Sequence, residues 1–370
     1  MTEAYPSDPS GLTRSTLTRL LRTMDPVAEV DTFSVVGGQF FGNGENKVST
    51  AGRAEVEIQR VGRPSRKMVV KLCRPDVPLQ PLYRNEVAFY RYIRPSLDLE
   101  IPMVFGADFD EESGTFGLIL EDLRDRGAQF PNATTPVSRE QLRSLLDILA
   151  RLHAHFWQNP DLLGRLSVIQ SHTEGELFEF FMAPDSVPAL VRSEIAAEQF
   201  KRELVEWIGT DEAVLYDAVR RVQLHQATLP FTLCHGDCHI GNTYLLPGER
   251  GGLLDWQLAA RGCWAHDVSY VIITALSISE RRNQEKELIR YYLEQLSRHG
   301  VVQPPTMEEA WHEYRLAANW CLYIGWLTTP KTHYGVEITA CNVIRLCAAV
   351  ADLGSVSLAS GLPPPPPFAW

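Results

Sequence analysis

LCHGDCHIGNTYLL, residues 233–246, and GGLLDWQ, residues 251–257, form the stretch on which the reading of this chain turns. Leu233 and Cys234 end an apolar strand, and His235-Gly236-Asp237 opens a tight loop. Asn242 stands five residues beyond Asp237, and Thr243 to Leu246 resumes a strand. GLLDW then makes a second strand ending at Asp255, joined to the first by the turn LPGERGG. Such a hairpin sets the outer ends of its strands side by side, so Asp237, Asn242 and Asp255 are expected to converge on one oxygen-rich site. A carboxylate and an amide oxygen suit Mg²⁺, which prefers hard ligands and substrate phosphates. A third group, a carboxylate held off the ion, can take the proton of an incoming hydroxyl. Phosphoryl transfer needs that division of labour.

Outward from this island the chain changes character. On its N-terminal side, DTFSVV from Asp31 leads into a glycine-rich loop at Gly37 to Asn46, then AGRAEVEIQRV, a turn at Gly62–Pro64 and RKMVVKLC. This reads as strand, loop, strand, turn, strand. Leu82 to Ile93 carries a helical apolar face between Pro81 and Pro95. MVFGADF and TFGLILE are two further strands. After Asp122 helical patterns take over, at about 137–157, 190–208, 211–227, 281–299, 307–328 and 335–353. Lys71 lies in an apolar strand, where a charge is costly unless paired. Glu86 on the next helix is the expected partner, with Lys67 and Glu100 as rivals at less suitable positions. Residues 1–9 read as a loose tail, Leu12 to Met24 as a helix, and GLPPPPPFAW as a solvated tail of polyproline bias.

The bulk numbers exclude several classes. A chain of 370 residues exceeds one ordinary compact core and points to two lobes. A net charge of −11 disfavours nucleic acid and anionic membrane surfaces as partners. Seven cysteines without a CxxC pair imply no disulfide framework and fit a reducing compartment. No secretory signal and no run of about 20 apolar residues is present, so the expected location is cytoplasmic.

His235-Gly236-Asp237-Cys238-His239-Ile240-Gly241-Asn242 resembles the HGDxHxxN catalytic loop of aminoglycoside phosphotransferase-like kinases, and Asp255-Trp256 resembles their metal-binding segment. GNGEN at 42–46, LILEDL at 118–123, LARLHAHFW at 149–157 and LLDWQLAARGCWAHDVSY at 253–270 are similar, more narrowly, to the ecdysteroid-kinase-like branch. The resemblance covers roughly residues 31–350 and implies an α+β, bilobal protein-kinase-like fold: a β-rich N-lobe with one main helix and a mostly helical C-lobe. The expected domains are a tail and helix at 1–30, an N-lobe at 31–122, a C-lobe at 123–356 and a proline-rich tail at 357–370.

It further implies a kinase using ATP and Mg²⁺, with Asp237 as catalytic base and Asn242 and Asp255 as metal ligands. Lys71, oriented by Glu86, would contact the nucleotide phosphates. Gly42 and Gly44 would lie over them, and the backbone at Glu121 and Leu123 would meet the adenine. His235 and Asp267 would brace the loop. His239 either approaches the phosphates or packs. The acceptor is a small hydroxylated molecule: a sterol, an aminoglycoside, a sugar, a choline-like alcohol or a hydroxyacyl thioester. The aromatic stripe Trp311, Tyr314, Trp320, Tyr323, Trp326 is core or, in part, acceptor pocket. A cluster of Glu174, Glu176, Glu179 and Glu194 facing the site would favour an aminoglycoside. The rival readings are a catalytically silent kinase-like binding module, a zinc hydrolase built on Cys234, His235, Asp237, Cys238 and His239, and a protein kinase. The last lacks room for an activation segment between Asp255 and Asp267.

Overall fold

A computed structural model of the chain describes residues 4–39, 51–73, 80–366 and 368. It divides into two compact units, Met1–Ala128 and Gln129–Trp370.

The first unit opens with helix α1 (Arg14–Arg22), whose N-terminus is capped by the Thr13 side chain accepting from Thr16 N–H. Five strands follow, β1 (Val30–Gln39), β2 (Gly52–Arg60), β3 (Arg66–Leu72), β4 (Val104–Asp110) and β5 (Thr115–Glu121), with helix α2 (Gln80–Ala88) between β3 and β4. They form one antiparallel sheet in the order β1-β2-β3-β5-β4. Alternation sets its inner face: Ala54, Val56 and Ile58 of β2 are buried while Arg53, Glu55 and Glu57 are half-buried and Gln59 is exposed. Leu17, Leu20 and Leu21 of α1 join those residues and Val70 and Ile119 in one core. Close approach is possible because β4 and β5 carry glycines there. A Cβ on Gly106 would lie 2.5 Å from the Leu20 carbonyl oxygen. The N-terminal residues expected to be loose are partly core: Tyr5 is buried, and its hydroxyl donates to Asp108 Oδ2 at 2.6 Å. The expected helix at 82–93 is α2 followed by a wider turn, Phe89–Ile93.

The second unit contains α3 (Arg139–His155), α4 (Glu176–Met182), α5 (Val187–Ala197), α6 (Gln199–Trp207) and α7 (Glu212–Gln226) before the island. The island holds β6 (Thr232–Cys234), β7 (Thr243–Leu246), β8 (Arg250–Leu253) and β9 (Ala260–Gly262). Helices α8 (Ala265–Ala275), α9 (Ile278–Arg298), α10 (Met307–Leu322), α11 (Lys331–Tyr334), α12 (Val336–Leu353) and α13 (Ser355–Ser360) complete it. Reciprocal capping boxes start α3, α9 and α10, formed by Ser138 with Gln141, Ser277 with Glu280 and Thr306 with Glu309. Every residue of α8 is buried.

Three expectations need correction here. The helix at 190–208 breaks at Glu198, whose backbone is extended. The strand expected to run to Asp255 stops at Leu253, and a second ribbon, β6 with β9, was not expected. The proline-rich tail is docked rather than solvated throughout: Arg221 donates to the Leu362 carbonyl, Arg220 to that of Pro366, and Phe368 stacks on Phe178. Among the described residues no helix is long and apolar enough to cross a membrane.

Candidate active site

β7 and β8 pair antiparallel, with Thr243 opposite Leu253, so the chain leaves the hairpin at Asn242 on one side and Leu254-Asp255 on the other. The turn is made by Gly248 and Glu249, both at positive φ. A positive φ also falls on Asp255 itself, at +67°. That conformation is uncommon for a side-chain-bearing residue, though Asp tolerates it better than most. The Asp255 carboxylate accepts from Gln257 Nε2 at 2.5 Å.

Asn242 Nδ2 donates to both the carbonyl and the carboxylate of Asp237, each at 2.9 Å. This turns the amide oxygen of Asn242 away from Asp237. Burial and the neighbouring charge of Asp255 raise the Asp237 carboxyl well above its ordinary range. Two carboxylates that repel one another, with an amide oxygen beside them, are a donor set that fits a hard divalent cation such as Mg²⁺.

The loop carrying Asp237 is held from below. Asp267 of α8 accepts from His235 N–H at 2.6 Å and from Gly236 N–H at 2.9 Å. His266 Nε2 donates to the Gly236 carbonyl at 2.8 Å, and Thr274 Oγ1 accepts from Ile240 N–H at 3.0 Å. His153 of α3 reaches Asp267 through Nε2 at 3.2 Å and Tyr292 through Nδ1 at 2.8 Å. Burial works against the charge of Asp267, yet His153 and the nearby imidazoles keep its carboxyl well below the usual range. His235 spans the site: its Nε2 donates to the Leu254 carbonyl at 2.9 Å and its Nδ1 accepts from Asp237 N–H at 3.3 Å. Burial keeps this imidazole neutral, which that donor–acceptor pattern requires. Gly236 has no substitute. Its φ is +83°, and a Cβ there would meet the Leu258 carbonyl oxygen at 1.8 Å. His239 is buried, its pKa pushed down to about 4 by burial, and it packs against Tyr270, Trp326 and Tyr334.

In the first unit Lys71 and Glu86 meet. Nζ lies 2.6 and 2.7 Å from the two carboxylate oxygens, and both side chains are buried. Of the rivals, Glu100 pairs with Arg126. Glu121 has spent its N–H on the Met103 carbonyl, and its carboxylate accepts from Met103 N–H. Leu123 is buried and opens the short turn after β5. Gly42 and Gly44 lie outside the described residues.

The zinc reading does not find its cluster. Among the described residues, groups whose ligand atoms come within reach of one ion are His153–Cys234–Asp267 and His225–His312–Glu313. In the first, Asp267 is committed to the loop, and burial keeps the Cys234 thiol protonated. Sequence reasoning missed His153, His266, Thr274 and Gln257 as partners of the loop. His266 adjoins Asp267 and Gln257 stands two residues from Asp255, both already singled out, whereas His153 and Thr274 come from farther along the chain.

Taken together, a five-stranded antiparallel sheet with a buried Lys–Glu pair and a helical unit carrying this loop define a two-unit α+β, protein-kinase-like fold. The chain belongs to the phosphotransferase enzyme family, whose signature matches residues 51–312. It is thus a kinase that uses a small-molecule hydroxyl as acceptor, the match being to the family as a whole rather than to the ecdysteroid-kinase-like branch. Among solved structures, an ethanolamine kinase of Plasmodium vivax is similar at 16% identity, covering 86% of this chain and 81% of that one, with a TM-score of 0.52. A spectinomycin phosphotransferase solved with ADP and spectinomycin shares 14% identity over 93% and 99% of the two chains, at a TM-score of 0.47. A choline kinase of Streptococcus pneumoniae shares 16% over 86% and 94%, at 0.40. No curated protein matches the chain.

Proposed function

We propose that this enzyme moves the terminal phosphoryl group of ATP to an alcohol, with Asp237 as the base. The observation that carries the reading is the double hydrogen bond from Asn242 to Asp237 inside a loop held by Asp267. It fixes one carboxylate against rotation while leaving an amide oxygen and Asp255 beside it. Asp237 takes the proton of the acceptor hydroxyl and aligns its oxygen for attack. Lys71, kept in one position by both oxygens of Glu86, binds the nucleotide phosphates as a fixed cation. Asn242 and Asp255 hold Mg²⁺, which supplies charge neutralisation on the phosphates when bound. Positioning and electrostatics then provide most of the rate. The seven cysteines, all free thiols, accord with a reducing cytoplasm.

Asp237→Asn tests this. It should lower ATP-dependent phosphorylation of an accepted alcohol by about 10²- to 10⁴-fold, while Mg·ATP still raises the melting temperature. Turnover equal to the parent enzyme would refute the assignment of the base. Failure of both proteins to bind Mg·ATP would favour a silent module.

A further inference from the structure

Helices α7 and α10 of the second unit bring a group of metal-binding side chains together away from the Asp237 loop. His225 stands in the last turn of α7, and His312 and Glu313 are neighbours in the first half of α10. Each can offer one atom, an imidazole nitrogen or a carboxylate oxygen, and these atoms all lie within 4.8 Å of one another. No step of the phosphoryl transfer proposed above uses any of the three.

Two of them are already oriented. His225 Nε2 and Glu313 Oε1 are 2.8 Å apart, and Gln226 Nε2 donates to the other oxygen, Glu313 Oε2, at 3.0 Å. Glu313 is buried, while both imidazoles are half-buried, so water can reach them. His312 differs. Its ring meets that of His225 edge-on, with 6.1 Å between centroids, and it makes no hydrogen bond among the described residues. An ion pair between α7 and α10 accounts for His225 and Glu313 and leaves His312 without a task.

Two imidazoles and one carboxylate are a ligand set that suits Zn²⁺, with water in the fourth position. Mg²⁺ prefers oxygen, and this group offers one oxygen against two nitrogens. Zinc bonds of about 2.0–2.1 Å set tetrahedral ligands roughly 3.4 Å apart. The ion would widen the His225–Glu313 contact by about 0.6 Å and draw His312 inward by up to about 1.4 Å, within reach of side-chain rotation. Gln226 then becomes the outer partner that orients the ligating carboxylate.

We infer that His225, His312 and Glu313 form a Zn²⁺ site that fastens α7 to α10. The ion stabilises the helix pair, and its residues are distinct from Asn242 and Asp255. Tyr314, which follows Glu313, is bonded in turn to the helix that braces the Asp237 loop: Ser269 Oγ of α8 donates to the Tyr314 carbonyl at 3.1 Å.

The test uses the untagged full chain, stripped of metal with a chelator and titrated with Zn²⁺ alone by calorimetry. The parent should bind one Zn²⁺ with a Kd below about 10 μM, and millimolar Mg²⁺ should not compete. Saturating Zn²⁺ should raise the melting temperature by about 3–8 °C. His312→Ala removes a ligand but no hydrogen bond, so its metal-free melting temperature should match the parent's while its Zn²⁺ affinity falls at least about a hundredfold. Gln226→Leu keeps all three ligands and should weaken binding about tenfold. No Zn²⁺ binding by the parent, or an affinity unmoved by His312→Ala, would overturn the inference. Binding lost in Cys234→Ser and kept in His312→Ala would place the ion at His153, Cys234 and Asp267 and overturn it as well.

Discussion

In the first unit a lysine on a strand and a glutamate on a helix satisfy each other; in the second an aspartate on a helix satisfies a loop. Lys71 and Glu86 need only their two elements and a dry surrounding. Asp267 instead takes two backbone N–H groups that no regular structure would pair, and it is itself held by His153. The ion pair positions one charge. The brace positions a whole loop and, through it, the side chains of Asp237 and Asn242. A stability change therefore carries different information in each unit.

The largest effect is expected from breaking the pair on one side. Lys71→Met leaves Glu86 buried and should cost about 3–5 kcal/mol in urea unfolding. The double variant Lys71→Met/Glu86→Leu should recover most of that stability but none of the ATP turnover, since apolar replacement of a buried pair is often neutral or better. Stability that stays low in the double variant would show that the pair is needed for the fold. Asp267→Asn comes next, at about 2–3 kcal/mol, because an amide offers one acceptor oxygen where two loop N–H groups now bond. Here fold and turnover should fall together, and protected amide exchange at His235 and Gly236 should rise. Intact exchange protection would contradict the brace.

Asp237→Asn should move stability the other way, by about 0.5–1 kcal/mol upward, because it removes a charge that Asp255 opposes in a desolvated place. Thermal unfolding of the two proteins without nucleotide checks the sign. A further effect concerns acid and grows with the pH change. His172 has a folded pKa of about 3, below its unfolded value of 6.5. The unfolded chain then binds the extra proton, so stability falls as pH drops below about 6.5, by at most about 1.4 kcal/mol per pH unit. His172→Phe should flatten that limb, and an unchanged slope would assign it to other groups.

Much of the fold was legible because its signals are local. The strand pattern of β2 and the prolines around α2 each act within a few residues. The convergence of Asp237, Asn242 and Asp255 was readable from one hairpin for the same reason. What escaped depends on distant neighbours. The break at Glu198, the β6–β9 ribbon, the burial of Tyr5 and the docking of Phe368 on Phe178 are decided by contacts across long stretches of chain. His153 reads from sequence as a core or interface histidine on a helix face, and only packing against α8 brings it to Asp267.

The burial of the cysteines supplies a clock for motion in the loop. Cys234 and Cys238 flank Asp237 and are wholly enclosed, whereas Cys341 is partly accessible. A thiol reagent can reach the first two only when the segment around Asp237 swings out, so their alkylation rate counts such openings directly. Counting them with and without nucleotide would report how often the loop around Asp237 leaves its seat, on a timescale that neither turnover nor melting temperature records.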